Sequence, residues 1–389
     1  MKKKIIPFSP PLIGEDEVHE VVDTLKSEWI TTGPKVKKFE NEFAAYVKAP
    51  TALAVSSATD AMQVSLAAYG VGPEDEVITT TLTFCSTIHV IEHVGANPVL
   101  VDVEQDQLTI DPDKVEKAIT KRTKVIIPVH LYGHPCKMKE LIEIAKNRKL
   151  IVIEDAAHAL PSNHDGRIIG SPISDVRWAT CFSFYATKNI TTAEGGMITG
   201  KRDFIDRARI WSLHGMNKDA WKRYSASGSW YYEVVAPGYK CNMTDIQASL
   251  GIHQLKKLDK FQKRRNEIAK KYNEAFKSLK EIQFPLVRKG CIHAWHIYAI
   301  RLNLETLKIN RDEFIEKLKE RGVGASVHFI PNHIQPYYRD KYGFKPEDFP
   351  VAYREYLRLI SLPIYPKMSD EDVNYVINVV FDIVKRYRR

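Results

Sequence analysis

Leu150-Ile151-Val152-Ile153-Glu154-Asp155-Ala156-Ala157-His158 is the stretch on which the fold turns. Four apolar residues in succession, without polar alternation, read as a strand covered on both faces, the habit of parallel sheets. Polar groups begin only at its carboxyl end. Working outward, similar short runs lie at 52–56, 76–81, 98–103, 124–130, 179–184 and 196–199. Between them the spacing is helical: Ala58, Ala61, Met62, Leu66 and Tyr69 follow one face. Asp111-Pro112 opens another helix as N-cap and first-turn proline, and 137–149 forms a third. Repeated strand–helix–strand order implies an α/β, mostly parallel, doubly wound sheet that binds ligands at the carboxyl ends of its strands.

Beyond residue 250 the texture changes. A long charged amphipathic helix at 245–279 leads to a strand at 294–302, a helix at 311–321 and a strand at 325–329. A loop rich in proline, histidine and tyrosine comes next, then a closing helix at 370–387. With 389 residues, the chain exceeds the roughly 250–300 residues one core sustains. The expected division is 1–250 for the large domain and 251–389 for a smaller α/β domain. Apolar runs stay far below the roughly 18–20 residues of a membrane span. Met1-Lys2-Lys3-Lys4 imitates the charged end of an export signal, but Pro7, Pro10 and Pro11 break the chain before any long apolar stretch develops, so no export signal is read.

Subtracting 48 acids from 57 bases leaves +9, a balance that suits anionic small molecules. The bases are dispersed, and Lys263-Arg264-Arg265 reads as a solvated helix face, so neither nucleic acid nor membrane is indicated. Five cysteines, an odd number without a CxxC pair, fit reduced thiols in a cytoplasmic protein. Cys136 near His130 and His134 lacks a second ligand pair, and His293 and His296 in a strand would face opposite ways, so no metal site is expected.

Four clusters carry chemistry. Lys188, in Ser183-Phe184-Tyr185-Ala186-Thr187-Lys188-Asn189, sits four residues past a strand among small and hydroxylated neighbours; a desolvated lysine is a nucleophile toward an aldehyde. Asp155 ends its strand where a carboxylate can keep a pyridine nitrogen protonated, and His158 can donate to a ring hydroxyl. Ser56-Ser57-Ala58-Thr59-Asp60 opens a helix as an anion site, without the glycines of a P-loop. Phe84, in Thr83-Phe84-Cys85-Ser86, offers a face for a flat cofactor. Singly, each has a plainer reading: a surface lysine, a capping aspartate, an N-cap, a core aromatic. Thr31-Thr32-Gly33 before Pro34 reads as a turn, and His328, His333 and Tyr337 line a cleft or a plain surface loop.

Together these clusters are the equipment of a pyridoxal-phosphate site. The ordered segments SSATDAM (56–62), TFCST (83–87), EDAAHA (154–159), SFYATKNITTAEGG (183–196) and GYKCNMTDIQASLG (238–251), with TTGP (31–34), HAWH (293–296) and VHF (327–329), resemble the DegT/DnrJ/EryC1/StrS family of sugar aminotransferases. The resemblance implies a dimeric fold-type-I enzyme with a mostly parallel seven-stranded sheet between helices and a smaller C-terminal α/β domain. It implies pyridoxal 5′-phosphate bonded to Lys188, which then shuttles the proton between cofactor and substrate carbon. Asp155 would pair with the pyridinium nitrogen, His158 with the ring hydroxyl, and Phe84 would stack on the ring. Backbone at Ala58, Thr59 and Asp60, with the Ser183 hydroxyl, would bind phosphate. Lys240 and Asn242 stand where many members have asparagine followed two residues later by arginine, which leaves open which of them reaches the neighbouring subunit's phosphate. Thr31, Thr32, His328 and His333 would contact substrate.

His158, where many members carry glutamine, resembles the branch making UDP-4-amino-4-deoxy-L-arabinose. The implied reaction moves an amino group from L-glutamate to a UDP-linked 4-keto sugar. Alternatives of the same fold are C3 amination of a dTDP-keto sugar and a non-catalytic regulator. Lysine at 188 speaks against the related sugar 3-dehydratases, which have histidine there.

Overall fold

A computed structural model describes residues 4–217 and 231–389; Met1, Lys2 and Lys3 of the basic run at the start of the sequence lie outside the described residues. The strands are β1 (Thr51–Val55), β2 (Glu76–Thr80), β3 (Asn97–Val101), β4 (Thr123–Ile127), β5 (Ile151–Asp155), the short hairpin β6 (Asn163–His164) and β7 (Arg167–Ile168), β8 (Arg177–Ser183) and β9 (Gly196–Gly200). A seven-stranded sheet runs β1-β9-β8-β5-β4-β2-β3, with β9 antiparallel to both neighbours and every other pair parallel. This is the expected mostly parallel sheet.

Helices α1 (Glu15–Lys26), α2 (Pro34–Tyr46), α3 (Ala58–Ala68), α4 (Ser86–His93), α5 (Pro112–Ala118), α6 (Met138–Arg148) and α7 (Arg202–Ser212) flank it. Strand alternation deals side chains to both layers. Ile151 and Ile153 of β5 pack with Ala61 and Leu66 of α3 and Val90 of α4, while Val152 packs with Val115 of α5 and Leu141 of α6. The same alternation puts Asp155 on the face of α3 and α4 and Glu154 on the opposite one.

Helix α8 (Asp245–Phe276) starts at a capping box in which Thr244 and Gln247 exchange bonds. Its first half packs Ala248 and Ile252 on Phe39 and Phe43 of α2; its second half packs Ile268, Tyr272 and Phe276 in another core. That core holds a three-stranded antiparallel sheet, β10 (Ile282–Gln283), β12 (Tyr298–Leu302) and β13 (Leu359–Leu362), with α9 (Arg311–Glu320) and α12 (Asp370–Tyr387). Strand β11 (Cys291–Ile292) extends the β6–β7 hairpin, and α10 (Pro336–Tyr342) and α11 (Pro350–Tyr356) occupy the region read as loop.

Two strand expectations need correction. At 325–329 only Ser326 bridges, to Ser361 of β13; the place beside β12 is taken by β13, a four-residue run. Strand 294–302 shortens to β12 because 293–297 is a pinned loop: Trp295 has φ 48°, and the buried Arg265 donates from Nη1 to Trp295 O at 2.9 Å and Ile364 O at 2.8 Å. Among the described residues no helix is long and apolar enough to cross a membrane.

Candidate active site

A cleft of about 470 Å³ opens at the carboxyl ends of β5 and β8. Asp155, Lys188, His158, Ser183, Ala58, Thr59, Phe84 and His328, far apart in sequence, all line it. Asp155 is buried, and its Oδ2 accepts from Thr87 Oγ1 at 2.7 Å while Oδ1 accepts from Ala157 N–H at 3.1 Å. Since the Thr87 proton goes to the carboxylate, Thr83 Oγ1, 3.0 Å away, donates to Thr87. Burial raises the Asp155 pKa above the ordinary aspartate value, and these donors and the Lys188 charge pull it back. Thr87 went unread in the sequence, although Thr83 and Thr87 lie one helical turn apart in TFCST. Glu154 serves the scaffold on the other face: it accepts from Thr180 Oγ1 at 2.6 Å and pairs with Arg167 and His130.

Lys188 follows β8 in a turn closed by its own N–H to Tyr185 O at 2.9 Å. Desolvation lowers its pKa to about 8, against the pull of Asp155 toward a higher value. The amine is thus a free base far more often than an exposed lysine.

Ser57 caps α3 by accepting from Asp60 N–H at 3.0 Å. The first-turn N–H groups of Ala58 and Thr59 have no carbonyl one turn back, so they offer an anion site on the cleft wall. Asp60 departs from the expectation. Its N–H is spent on Ser57 Oγ, its carboxylate takes the Ser56 and Ser57 hydroxyls at 2.5 and 2.8 Å, and it is off the cleft wall. Gly196 lets β9 press against this loop: a Cβ there would sit 2.4 Å from the Ser57 carbonyl.

Tyr132 N–H donates to His158 Nδ1 at 3.2 Å. Burial holds the His158 pKa well below its ordinary value, so the neutral ring carries its proton on Nε2. Its ring stacks 5.8 Å from Phe329 and lies 4.5 Å from His296. His296 Nδ1 meets Asn189 Oδ1 at 3.2 Å. The expected strand geometry of HAWH is therefore corrected to a loop in which His293 stacks on Trp295 at 4.0 Å and His296 reaches the cleft. Among the described residues no group of three or more metal-ligating side chains assembles.

Phe84 is exposed at the mouth, 5.7 Å from Phe329. His328 lines the cleft with Nδ1 2.9 Å from Ser361 Oγ. His333 does not reach it. Fully buried, it holds Thr81 Oγ1 at 2.8 Å while Asn332 Nδ2 donates to Thr83 O at 2.7 Å, so this loop clamps the turn that carries Phe84. Thr31, Thr32, Lys240 and Asn242 also lie outside the cleft wall, as one patch: Thr32 Oγ1 donates to Met243 O, Asn242 Nδ2 donates to Thr32 Oγ1 at 2.7 Å, and Asp245 N–H donates to Thr31 O at 3.0 Å. Lys240 is exposed beside Asn242.

The arrangement can hold an anion at α3, a protonated heterocyclic nitrogen at Asp155 and a carbonyl at Lys188. The chain is 52% identical over 386 residues to the spore coat polysaccharide biosynthesis protein SpsC of Bacillus subtilis, covering 99% of this chain and 98% of that one. It is 52% identical over 389 residues to the uncharacterized protein MJ1066 of Methanocaldococcus jannaschii, covering 100% of both. The putative sugar aminotransferase Spr1654 from Streptococcus pneumoniae, solved in PMP-form and PLP-form, superposes with TM-scores of 0.91 and 0.90 at 38% and 37% identity, covering 98% of this chain and 98–99% of that one. The model of the DegT/DnrJ/EryC1/StrS aminotransferase family matches residues 11–381, and the chain belongs to that family.

Proposed function

We propose that this aminotransferase transfers an amino group from L-glutamate to C4 of a UDP-linked 4-keto sugar. The carrying observation is one cleft that joins a low-pKa lysine, a buried carboxylate and a free helix N-terminus, in a chain related along its whole length to a polysaccharide-biosynthesis protein. His158, by its resemblance to the UDP-4-amino-4-deoxy-L-arabinose branch, favours C4. The surplus of +9 suits a diphosphate-bearing substrate.

Pyridoxal phosphate is the cofactor, and when bound it supplies an aldehyde that takes up the amino group and a ring that withdraws electrons from the adjoining carbon. Ala58 and Thr59 N–H groups, with the Ser183 hydroxyl, hold its phosphate. Asp155 keeps the proton on the ring nitrogen, His158 Nε2 donates to the ring hydroxyl, and Phe84 covers one face. Lys188 Nζ moves the proton to and from the substrate carbon. Gly196→Ala is expected to weaken pyridoxal phosphate binding by about tenfold or more, because the added Cβ pushes the Ser57–Ala58 backbone out of place. Equilibrium dialysis against the cofactor reads this, and unchanged affinity would remove the loop from the phosphate site.

A second copy completes the site in this reading. Val18, Val22 and Leu25 leave an exposed apolar stripe along α1, and the exposed Trp29 beyond its end donates from Nε1 to Thr32 O in the Thr31–Asn242 patch; Lys240 or Asn242 would reach the phosphate held by the other copy. Five free cysteines suit a reducing, cytoplasmic setting. The deciding experiment incubates the holoenzyme with glutamate and a panel of UDP- and dTDP-linked 4-keto and 3-keto sugars. The expected result is a keto-to-amine mass change on a UDP-linked 4-keto sugar. Amination of a dTDP-linked 3-keto sugar instead would overturn the assignment, and sedimentation of a fully active monomer would overturn the shared site.

A further inference from the structure

We propose that Phe8, in the N-terminal arm (residues 4–14, ahead of α1), packs against the carbohydrate ring of the substrate and discriminates it from the amino donor; this rests on the function proposed above. The arm is fixed at two points. Ile6, buried at 2% exposure, exchanges backbone bonds with Gly322 and Gly324 at 2.8 Å each, and Ser9 Oγ donates at 3.2 Å to the carbonyl of Thr187, the residue before Lys188. Phe8, held between those anchors, is half-buried and lines the cleft. Its ring stacks on His328 at 5.1 Å and 17°.

His328 meets Phe329 edge-on at 5.2 Å, and Phe329 in turn contacts both His158 and Phe84. One aromatic wall thus runs the length of the cleft. Its Phe84–His158 end is assigned to the cofactor, which leaves the Phe8–His328 end for whatever projects from the reacting carbon. A hexose presents a flat patch of C–H groups that packs on an aromatic face; glutamate, a short flexible dicarboxylate, presents none. An aromatic at this position therefore adds affinity for one of the two substrates and not for the other.

The arm leaves an independent handle at Gly324, where a Cβ would lie 2.9 Å from the backbone nitrogen of Phe8. Gly324→Ala must displace the arm at the residue in question without altering any side chain of the cleft. Phe8 had no signal in the sequence, where the neighbouring prolines speak only against a leader.

The test measures binding of UDP-glucose against UDP, and of dTDP-glucose against dTDP, to the holoenzyme by calorimetry. In the wild type the sugar is expected to add affinity for at least one pair. Phe8→Ala is expected to weaken that sugar nucleotide by about tenfold while the bare nucleotide and the glutamate half-reaction stay within about twofold. Phe8→Trp is expected to retain the affinity, and Gly324→Ala to reproduce the loss. Equal weakening of the bare nucleotide, equal slowing of the glutamate half-reaction, no effect of Phe8→Ala, or no sugar contribution in the wild type overturns the proposal. Because UDP-glucose and dTDP-glucose carry no ketone, this outcome is separate from the sugar panel: a wild type that aminates nothing there defeats the proposed reaction, not the binding comparison.

Discussion

Lys188→Ala is expected to lower turnover by at least about four orders of magnitude, since one amine both captures the cofactor and moves the proton. Borohydride treatment of wild-type holoenzyme should attach the cofactor to a peptide containing Lys188, and the alanine variant should release it on denaturation. The pH dependence derives from the site. With a pKa of about 8, half of the Lys188 amine is unprotonated at that pH, against roughly 0.4% for a lysine at its ordinary value near 10.4. The rate of cofactor capture by the apoenzyme should therefore rise with pH and level off above about 8. A rate that climbs on toward pH 10, or a variant that keeps substantial turnover, would remove Lys188 from the centre. The fold is not the explanation for such a loss, because the Lys188 side chain makes no hydrogen bond or ion pair that the turn depends on; its main-chain bond to Tyr185 survives in alanine.

The sequence told most where one residue decides one neighbourhood. Strands such as β5 are apolar on both faces, so their run and their polar ends are visible together; Asp155 and Lys188 each had a plainer reading alone and stood out only once the clusters were read together, and the structure lines one cleft with both. The residues that escaped depend on contacts between distant segments. His333 reads like a cleft histidine until Thr81, some 250 residues away, claims it. Asp60 looks like an anion-loop residue, yet its own cap uses up the N–H that would have bound phosphate. The loop at 293–297 carries the pattern of a strand, and only the buried Arg265 and the left-handed Trp295 show why it bends. Phe8 belongs to the cleft because the Ile6 backbone bonds to Gly322 and Gly324 and the Ser9 bond to Thr187 hold the arm there. The domain division drawn at 250 falls within α8, a single helix whose first half packs in one core and whose second half packs in another.

Asp155→Asn separates charge from shape. The amide occupies the same volume at the end of β5, and its oxygen can still accept from Ala157 N–H. Its Nδ2 would then face Thr87 Oγ1, which can turn to accept and pass its own proton to Thr83. The fold and cofactor affinity should survive, with a melting temperature within a few degrees of wild type. The lost element is a negative charge able to hold a proton on the ring nitrogen, and turnover is expected to fall by about three orders of magnitude. The coupling between the two groups supplies a second readout. The Asp155 charge raises the Lys188 pKa, so an uncharged neighbour lets desolvation act unopposed and Lys188 in the apo variant should titrate below about 8. Capture of the cofactor would then level off at lower pH in Asp155→Asn than in the wild type, even as turnover collapses. A merely structural aspartate would move neither quantity in this opposed way, and a variant with near-normal turnover and an unshifted lysine would strip Asp155 of its assigned part.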